Sequence, residues 1–266
     1  MKYRLNLLKA IIKNSFYQDT AHFVNNWGNI LSVVAYMLTN ILFIDIIYQN
    51  INTLAGYQRD EMLLFSLLSQ IWFFILLGIF YKNFEILIQS VNNGQLDLIL
   101  SKPIPSLFYT FFRNLNIFGI TRDAMPSIII LWLAIDWSNI QIETFSLFIG
   151  IIILILGIAC SILFNFLVCL PVFWIGESLS IIDLAFTIED NAGHVFPFEG
   201  WNDFWKVVFT AFLPAAIASG ISTSVILGKL PALEMLAVSL IVTIIFLILV
   251  NVLWKLALKN YTSASS

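Results

Sequence analysis

Residues 145–175 read FSLFIGIIILILGIACSILFNFLVCLPVFWI, an unbroken run without a single charged side chain. A hydrocarbon core of about 30 Å needs about 20 apolar residues in helical form, so this run is longer than one ordinary crossing. Proline, glycine and an acid arrive together at Pro171, Gly176 and Glu177, and the natural break lies there. One span is expected over 145–170, with Glu177 as a turn residue and a second span, 176–194, beginning at that turn.

The rest of the chain has the same character. Of its residues 60% are hydrophobic and 11% charged, whereas a soluble domain carries about 25% charged residues. Mean hydropathy is +0.92, and 24 Phe and 8 Trp do not suit a surface that faces water. Further spans are expected at 27–48, 62–81, 115–135 and 235–256, giving an all-α integral membrane protein with six transmembrane helices. The stretch 204–232 is interrupted by Pro214, Gly220, Gly228 and Pro231. Its centre is short for a crossing, and a re-entrant pair of short helices suits it better.

Cation placement supports six spans. With the N-terminus inside, only Arg59, Lys206 and Lys229 of the 13 lysines and arginines fall outside, which is the asymmetry of the positive-inside rule. Both termini are then cytoplasmic and the protein lies in the cell (plasma or inner) membrane. Over residues 1–20, Leu5, Leu8, Ile12 and Phe16 follow helical spacing with Lys2, Lys9 and Lys13 mostly off that stripe. This predicts an amphipathic helix lying on the inner leaflet rather than a cleaved leader. Residues 21–266 are expected to form a single six-span transmembrane domain.

Several chemistries are excluded. No GxxxxGK[ST] segment exists, since Gly228-Lys229 is followed by Leu230, so ATP is not bound by a P-loop here. There is no HExxH, CxxC or GxSxG, and His22 and His194 are the only histidines. No catalytic, metal or cofactor site is expected. A net charge of −3 offers nucleic acid no basic footprint. Cys160 and Cys169 lie nine residues apart in one helix, about 13.5 Å along its axis, too far for a disulfide. Ion coupling needs an ionisable group at membrane depth. Asp45 and Asp136 sit at outer span ends, and Asp183 is the acid read as lying inside a span, a candidate gating residue.

One cytoplasmic loop, 82–113, stands out. Phe84, Leu87, Ile88 and Val91 form an apolar stripe, Asn92-Asn93-Gly94 stops the helix, and Leu96, Ile99 and Leu100 give a short second face before Lys102-Pro103-Ile104-Pro105. Two prolines end such a helix abruptly. A short stiff helix at the inner surface is suited to passing force from a partner, or is an ordinary interfacial loop.

Gly94-Gln95-Leu96-Asp97-Leu98-Ile99-Leu100-Ser101-Lys102-Pro103 resembles the G-x-L-D-x-x-L-x-K-P stretch of one branch of the ABC-2-type permeases. Phe173-Trp174, the pair Phe196-Pro197-Phe198 and Phe212-Leu213-Pro214-Ala215, and the tail from Lys255 to Ser266 resemble further segments of that branch, in the same order. Asn92-Asn93 stand where the branch commonly has a basic residue. The resemblance implies a non-enzymatic membrane subunit of an ABC exporter: two permeases, identical or different, working with two ATP-binding-cassette ATPase subunits that hold the ATP and magnesium. It implies that the loop bearing Phe84, Leu87, Gly94, Leu96, Asp97, Leu100, Lys102 and Pro103 meets the ATPase. It also implies that 196–232, with Pro197, Pro214, Gly220 and Pro231, closes the outer exit. An amphipathic or hydrophobic substrate, in contact with membrane lipid, fits the scarcity of intramembrane charge. Two other readings stand beside it: an ion- or proton-coupled carrier using Asp183, and a non-transporting membrane scaffold.

Overall fold

A computed structural model describes Lys13 and residues 23–115, 117–176, 178–195 and 197–261. The expected amphipathic helix over 1–20, Glu177, Phe196 and the tail beyond Tyr261 lie outside the described residues.

Among the described residues the chain is helical, with no strand and one isolated bridge between Leu54 and Tyr57. Helix α1 covers Phe23–Tyr48. Helix α2, Arg59–Ile75, runs through a π-helical turn at Leu76–Tyr81 into α3, Lys82–Asn92. The start of α2 is fixed by Glu61, whose carboxylate accepts from the Gln58 backbone N–H at 2.7 Å, a reciprocal cap of the first turn. Gly94, at φ +68°, turns the chain after α3, a conformation that favours glycine. Then come α4, Leu96–Leu100, and α5, Ser106–Phe112.

Helix α6 covers Ile117–Ala134 with Pro126 inside it. Helix α7, Thr144–Cys169, is followed across Leu170-Pro171 by the single turn α8, Val172–Ile175. The expected break at 171–177 is therefore gentler at the proline, and the chain turns at Gly176, where φ is +78°. Helix α9 is Leu179–Val195. Helix α10, Asp203–Val207, continues as a π-turn to Phe212; a second limb begins as a π-turn at Ile217–Ile221 and continues as α11, Ser222–Ile226. Helix α12 covers Ala232–Asn260, with Pro231 at its N-cap, where a missing N–H costs nothing.

Among the described residues, four helical stretches are long and apolar enough to cross a membrane: Gly28–Tyr48, Arg59–Asn92, Thr144–Ile175 and Ala232–Asn260. The two limbs of 203–226, bent by 105°, bring the number to five if they are one span. The remaining two expected spans correspond to α6 and α9. Helix α9 has 17 residues, about 26 Å of rise, and α6 is apolar throughout only over Ala124–Ala134.

Helix α7 is central. It packs along α12 on one side and against the second limb and α11 on the other, with α9 and α2 also touching it. Small residues make this possible: a Cβ at Gly157 would overlap the Ala218 backbone, and one at Gly150 would meet the Ile226 side chain. Close backbone approach through small residues is how helices associate where no water drives them together. Aromatic rings fill the end nearer α3, where Phe166 lies 4.5 Å from Phe111 and 5.5 Å from Trp254 between ring centres. Cys160 and Cys169 are free and buried in α7.

Candidate coupling loop, outer hairpin and buried polar groups

The helix Arg59–Asn92 has 34 residues, about 51 Å at 1.5 Å per residue. A membrane core accounts for about 30 Å of that, so α3 projects beyond it. The stripe along α3 is not free: Phe84, Leu87 and Ile88 are fully buried against the bundle. Asn83 anchors the same turn, donating to the Asn114 carbonyl at 2.6 Å and accepting from the Asn114 N–H at 2.7 Å. Leu96 and Ile99 of α4 are buried as well. The other face of α4 points outward, with Leu98 67% and Leu100 39% exposed. Asp97, Lys102 and Pro103 are exposed beside them. Lys102 donates to the Tyr109 hydroxyl at 2.6 Å, tying the proline turn to α5.

The residues expected to meet a partner thus divide in two. Phe84, Leu87 and Leu96 are interior supports, and Gly94 supplies the turn, while Asp97, Leu100, Lys102 and Pro103 form an exposed edge to which Leu98 must be added. The period of three and four that marked the stripe is the signature of a packed face. The same period reports what a loop leans on, not what it shows to others.

The far end of the bundle carries the outer candidates. Pro214 is buried at the bend between the limbs, with Leu213 and Ala215 on either side. The second limb is enclosed by protein, from Ala215 to Ile226. The first limb is not: Phe204, Val207 and Phe212 are each more than half exposed. Gly220 sits against Phe198, where an added Cβ would lie 3.1 Å from the Phe198 Cβ. Pro197 is buried before the short turn Phe198–Gly200, and Pro231 is exposed at the start of α12.

Arg59 and Lys229 at this end are paired. Arg59 donates to Asp45 at 2.6 Å and to Asp60 at 2.8 Å, and Asn139 donates to the other oxygen of Asp60 at 2.8 Å. Hydrogen bonds from the Ser138 hydroxyl and N–H keep the Asp136 carboxyl below its ordinary range. Lys229 reaches Glu61 at 3.0 Å and the Gly56 carbonyl at 2.8 Å, with its ammonium 4.7 Å from the Tyr57 ring centre. The Tyr57 hydroxyl bonds Ser224 at 2.8 Å, and burial lifts this phenol above its usual range. Two of the three cations assigned to the outside therefore stitch α1, α2, α6 and the end of the hairpin together.

Asp183 is exposed on α9 and accepts from the Tyr81 hydroxyl at the end of the π-turn. The acid that is enclosed is Glu189, on the same helix, 1% exposed. It accepts a hydrogen bond from the Asn165 side-chain amide of α7. Asn165 also donates to the Ser161 carbonyl at 2.9 Å, and Trp72 of α2 donates to the Ser161 hydroxyl at 3.1 Å. The second Glu189 oxygen and the Asn165 side-chain carbonyl are buried without a partner. Reading Asp183 as the acid inside the span overlooked Glu189. Its signal was present: Ile182, Ala185, Phe186, Glu189 and Ala192 follow helical spacing and are all buried.

No group of three or more potential metal ligands occurs among the described residues. No curated protein and no solved structure matches the chain. A family model described as ABC-2 family transporter protein matches residues 34–265, from the middle of α1 past the end of α12. With several long apolar helices and this match, the chain is a multi-pass membrane protein that belongs to the ABC-2 transporter family.

Proposed function

We propose that the chain is the permease of an ATP-driven exporter with six spans and both termini cytoplasmic, and that it receives the ATPase stroke through α4. The supporting observation is the division of that loop. A short helix with a proline turn is gripped from behind by Leu96, Ile99 and the buried stripe of α3. Its outer edge, Asp97, Leu98, Leu100, Lys102 and Pro103, is exposed. Because α3 is one continuous helix with α2, a push on α4 is delivered to the π-turn at Leu76–Tyr81. Single π-turns recur at functional bends in helices. There Tyr81 holds Asp183 of α9, which gives Asp183 a gating role between the two helices.

ATP and magnesium belong to two ATPase subunits, and a second permease, the same chain or a different one, completes the exporter. The outer exit is closed by the hairpin of 197–231, whose broken helices are buried in protein on one limb, the setting in which irregular backbone is tolerated at membrane depth. The substrate is amphipathic.

Co-expression with ATP-binding-cassette ATPase subunits, purification in mild detergent and assay of ATP hydrolysis test this. A complex that hydrolyses ATP and separates in Asp97→Arg or Leu98→Arg supports the reading. Failure of any such ATPase to co-purify sinks it.

A further inference from the structure

A lateral cleft between α1, α2 and α9 holds two cavities that share Tyr36 and His194 as walls. One, of 350 Å³, is largely apolar, with Phe43, Ile44, Ile47, Leu54 and Met62 around it. The other, of 330 Å³, brings Asp190 together with Gln70, Phe73 and Phe74. Each is within the usual range for a small-molecule site, about 300–1,000 Å³.

The electrostatics of the second cavity are one-sided. His194 Nδ1 lies 2.9 Å from the Asp190 carboxylate and 3.0 Å from the Asp190 main-chain carbonyl. No lysine or arginine lines either cavity, and none forms a salt bridge with Asp190 among the described residues. The carboxylate is 44% exposed, toward a cleft walled by rings. His194 itself is wedged against Trp72 and Phe73, ring centres 5.8 and 5.4 Å away, and its Nε2 is buried with no hydrogen-bond partner. An acid with no lysine or arginine partner among the described residues, set beside aromatic faces, attracts a cation twice, through its charge and through the ring quadrupoles.

We infer that this cleft binds a lipophilic organic cation, its charged head between Asp190, Tyr36 and the Phe73–Phe74 wall and its apolar part in the cavity beside Phe43 and Met62. This rests on the exporter reading for its purpose, since it names the class of amphipathic substrate. The binding itself does not require an ATPase.

The test uses the full chain in phosphatidylcholine nanodiscs and equilibrium binding of tetraphenylphosphonium, with tetraphenylborate as an anion of the same shape. Uptake by empty nanodiscs is subtracted. Saturable binding of the cation, absent for the anion, is expected, and Asp190→Asn should weaken it by about tenfold or more, the effect of removing a charge from a partly desolvated site. Asp203→Asn removes a charge from the exposed first limb and should leave binding as in the parent chain. Non-saturable uptake, equal binding of the two ions, or unchanged affinity in Asp190→Asn overturns the inference, the last including the case in which a second copy fills the cleft. Cation binding by a chain that recruits no ATPase would leave this site standing and remove the exporter; an active ATPase complex without cation binding would do the reverse.

Discussion

Glu189 of α9 accepts a hydrogen bond from the Asn165 side chain of α7, and both residues are sealed inside the bundle. No salt bridge to Glu189 occurs among the described residues, so hydrogen bonding is what holds this acid between two apolar helices. Leaving one buried polar group without its partner costs about 1–3 kcal/mol. Glu189→Gln keeps an acceptor for Asn165 and adds a donor that suits its free carbonyl. The glutamine variant should unfold within about 2 °C of the parent chain in detergent, since about 1 kcal/mol moves a chain of this size by roughly 2–4 °C. Glu189→Leu strands Asn165 and should lower the midpoint several times further. Equal loss in both variants would mean that the carboxyl is needed as an acid.

Leu96 and Leu98 stand two residues apart on α4, one buried and one 67% exposed. Arginine at position 96 must enter an apolar interior with no carboxylate partner, so Leu96→Arg should abolish the monodisperse folded chain in size-exclusion chromatography. Arginine at 98 faces outward, and Leu98→Arg should elute and melt as the parent does. An intact Leu96→Arg protein would show that α4 is not seated as described. The contrast also selects Leu98 over Leu96 as the probe of ATPase docking, because only the exposed position separates binding from folding.

The membrane class was legible from residues 145–175 alone, because an uncharged helix of that length has no other solvent. Helix boundaries set by special residues were legible too: Gly94 after α3, Pro231 before α12 and Gly176 at the end of α8 mark turns in both sequence and structure. What periodicity could not reveal was which way an apolar face points. In a chain where lipid and protein interior are equally apolar, Phe84 and Leu98 look alike, and only packing tells them apart. The same ambiguity hid Glu189. A search for a mid-span acid passes over Glu189, although its spacing from Ile182, Ala185 and Phe186 puts it on the buried stripe. The pairing of Arg59 with Asp45 and Asp60 depends on how α1, α2 and α6 converge, which no local pattern encodes.

Gly157 is where α7 comes closest to the backbone of the second limb, and an added Cβ there would lie 2.4 Å from Ala218 backbone atoms. Backbone cannot swing aside as a side-chain tip can. Gly157→Val should therefore force the limb outward, with a cost of at least about 1–3 kcal/mol for overpacking. Protection of the Ile217–Ile226 amides in hydrogen exchange should fall while that of α1 stays unchanged. Uniform loss across the chain would point to global unfolding instead, and no loss would contradict the close approach.

Arg59 binds two carboxylates that come from different places, Asp45 at the end of α1 and Asp60 beside it in α2, and its Nη1 also donates to the Ala134 carbonyl at the end of α6 at 3.3 Å. The guanidinium touches all three helix ends. Its fork geometry serves several acceptors at once, which a lysine ammonium does not reproduce. Arg59→Met keeps the length of the stem and removes the charge, leaving Asp60, 6% exposed, beside Asp45 with no cation. Breaking a fully buried pair costs about 3–5 kcal/mol; this pair is about a third exposed on the Arg59 and Asp45 sides, so a loss of roughly 1–3 kcal/mol is expected from the weaker, partly screened case. The double variant Arg59→Met, Asp45→Asn removes one of the repelling charges and should recover part of that loss, which a purely steric defect at position 59 would not allow. Thermal midpoints of the two variants at low and high salt decide it: a double variant no more stable than the single one would show that Asp45 and Asp60 do not share Arg59.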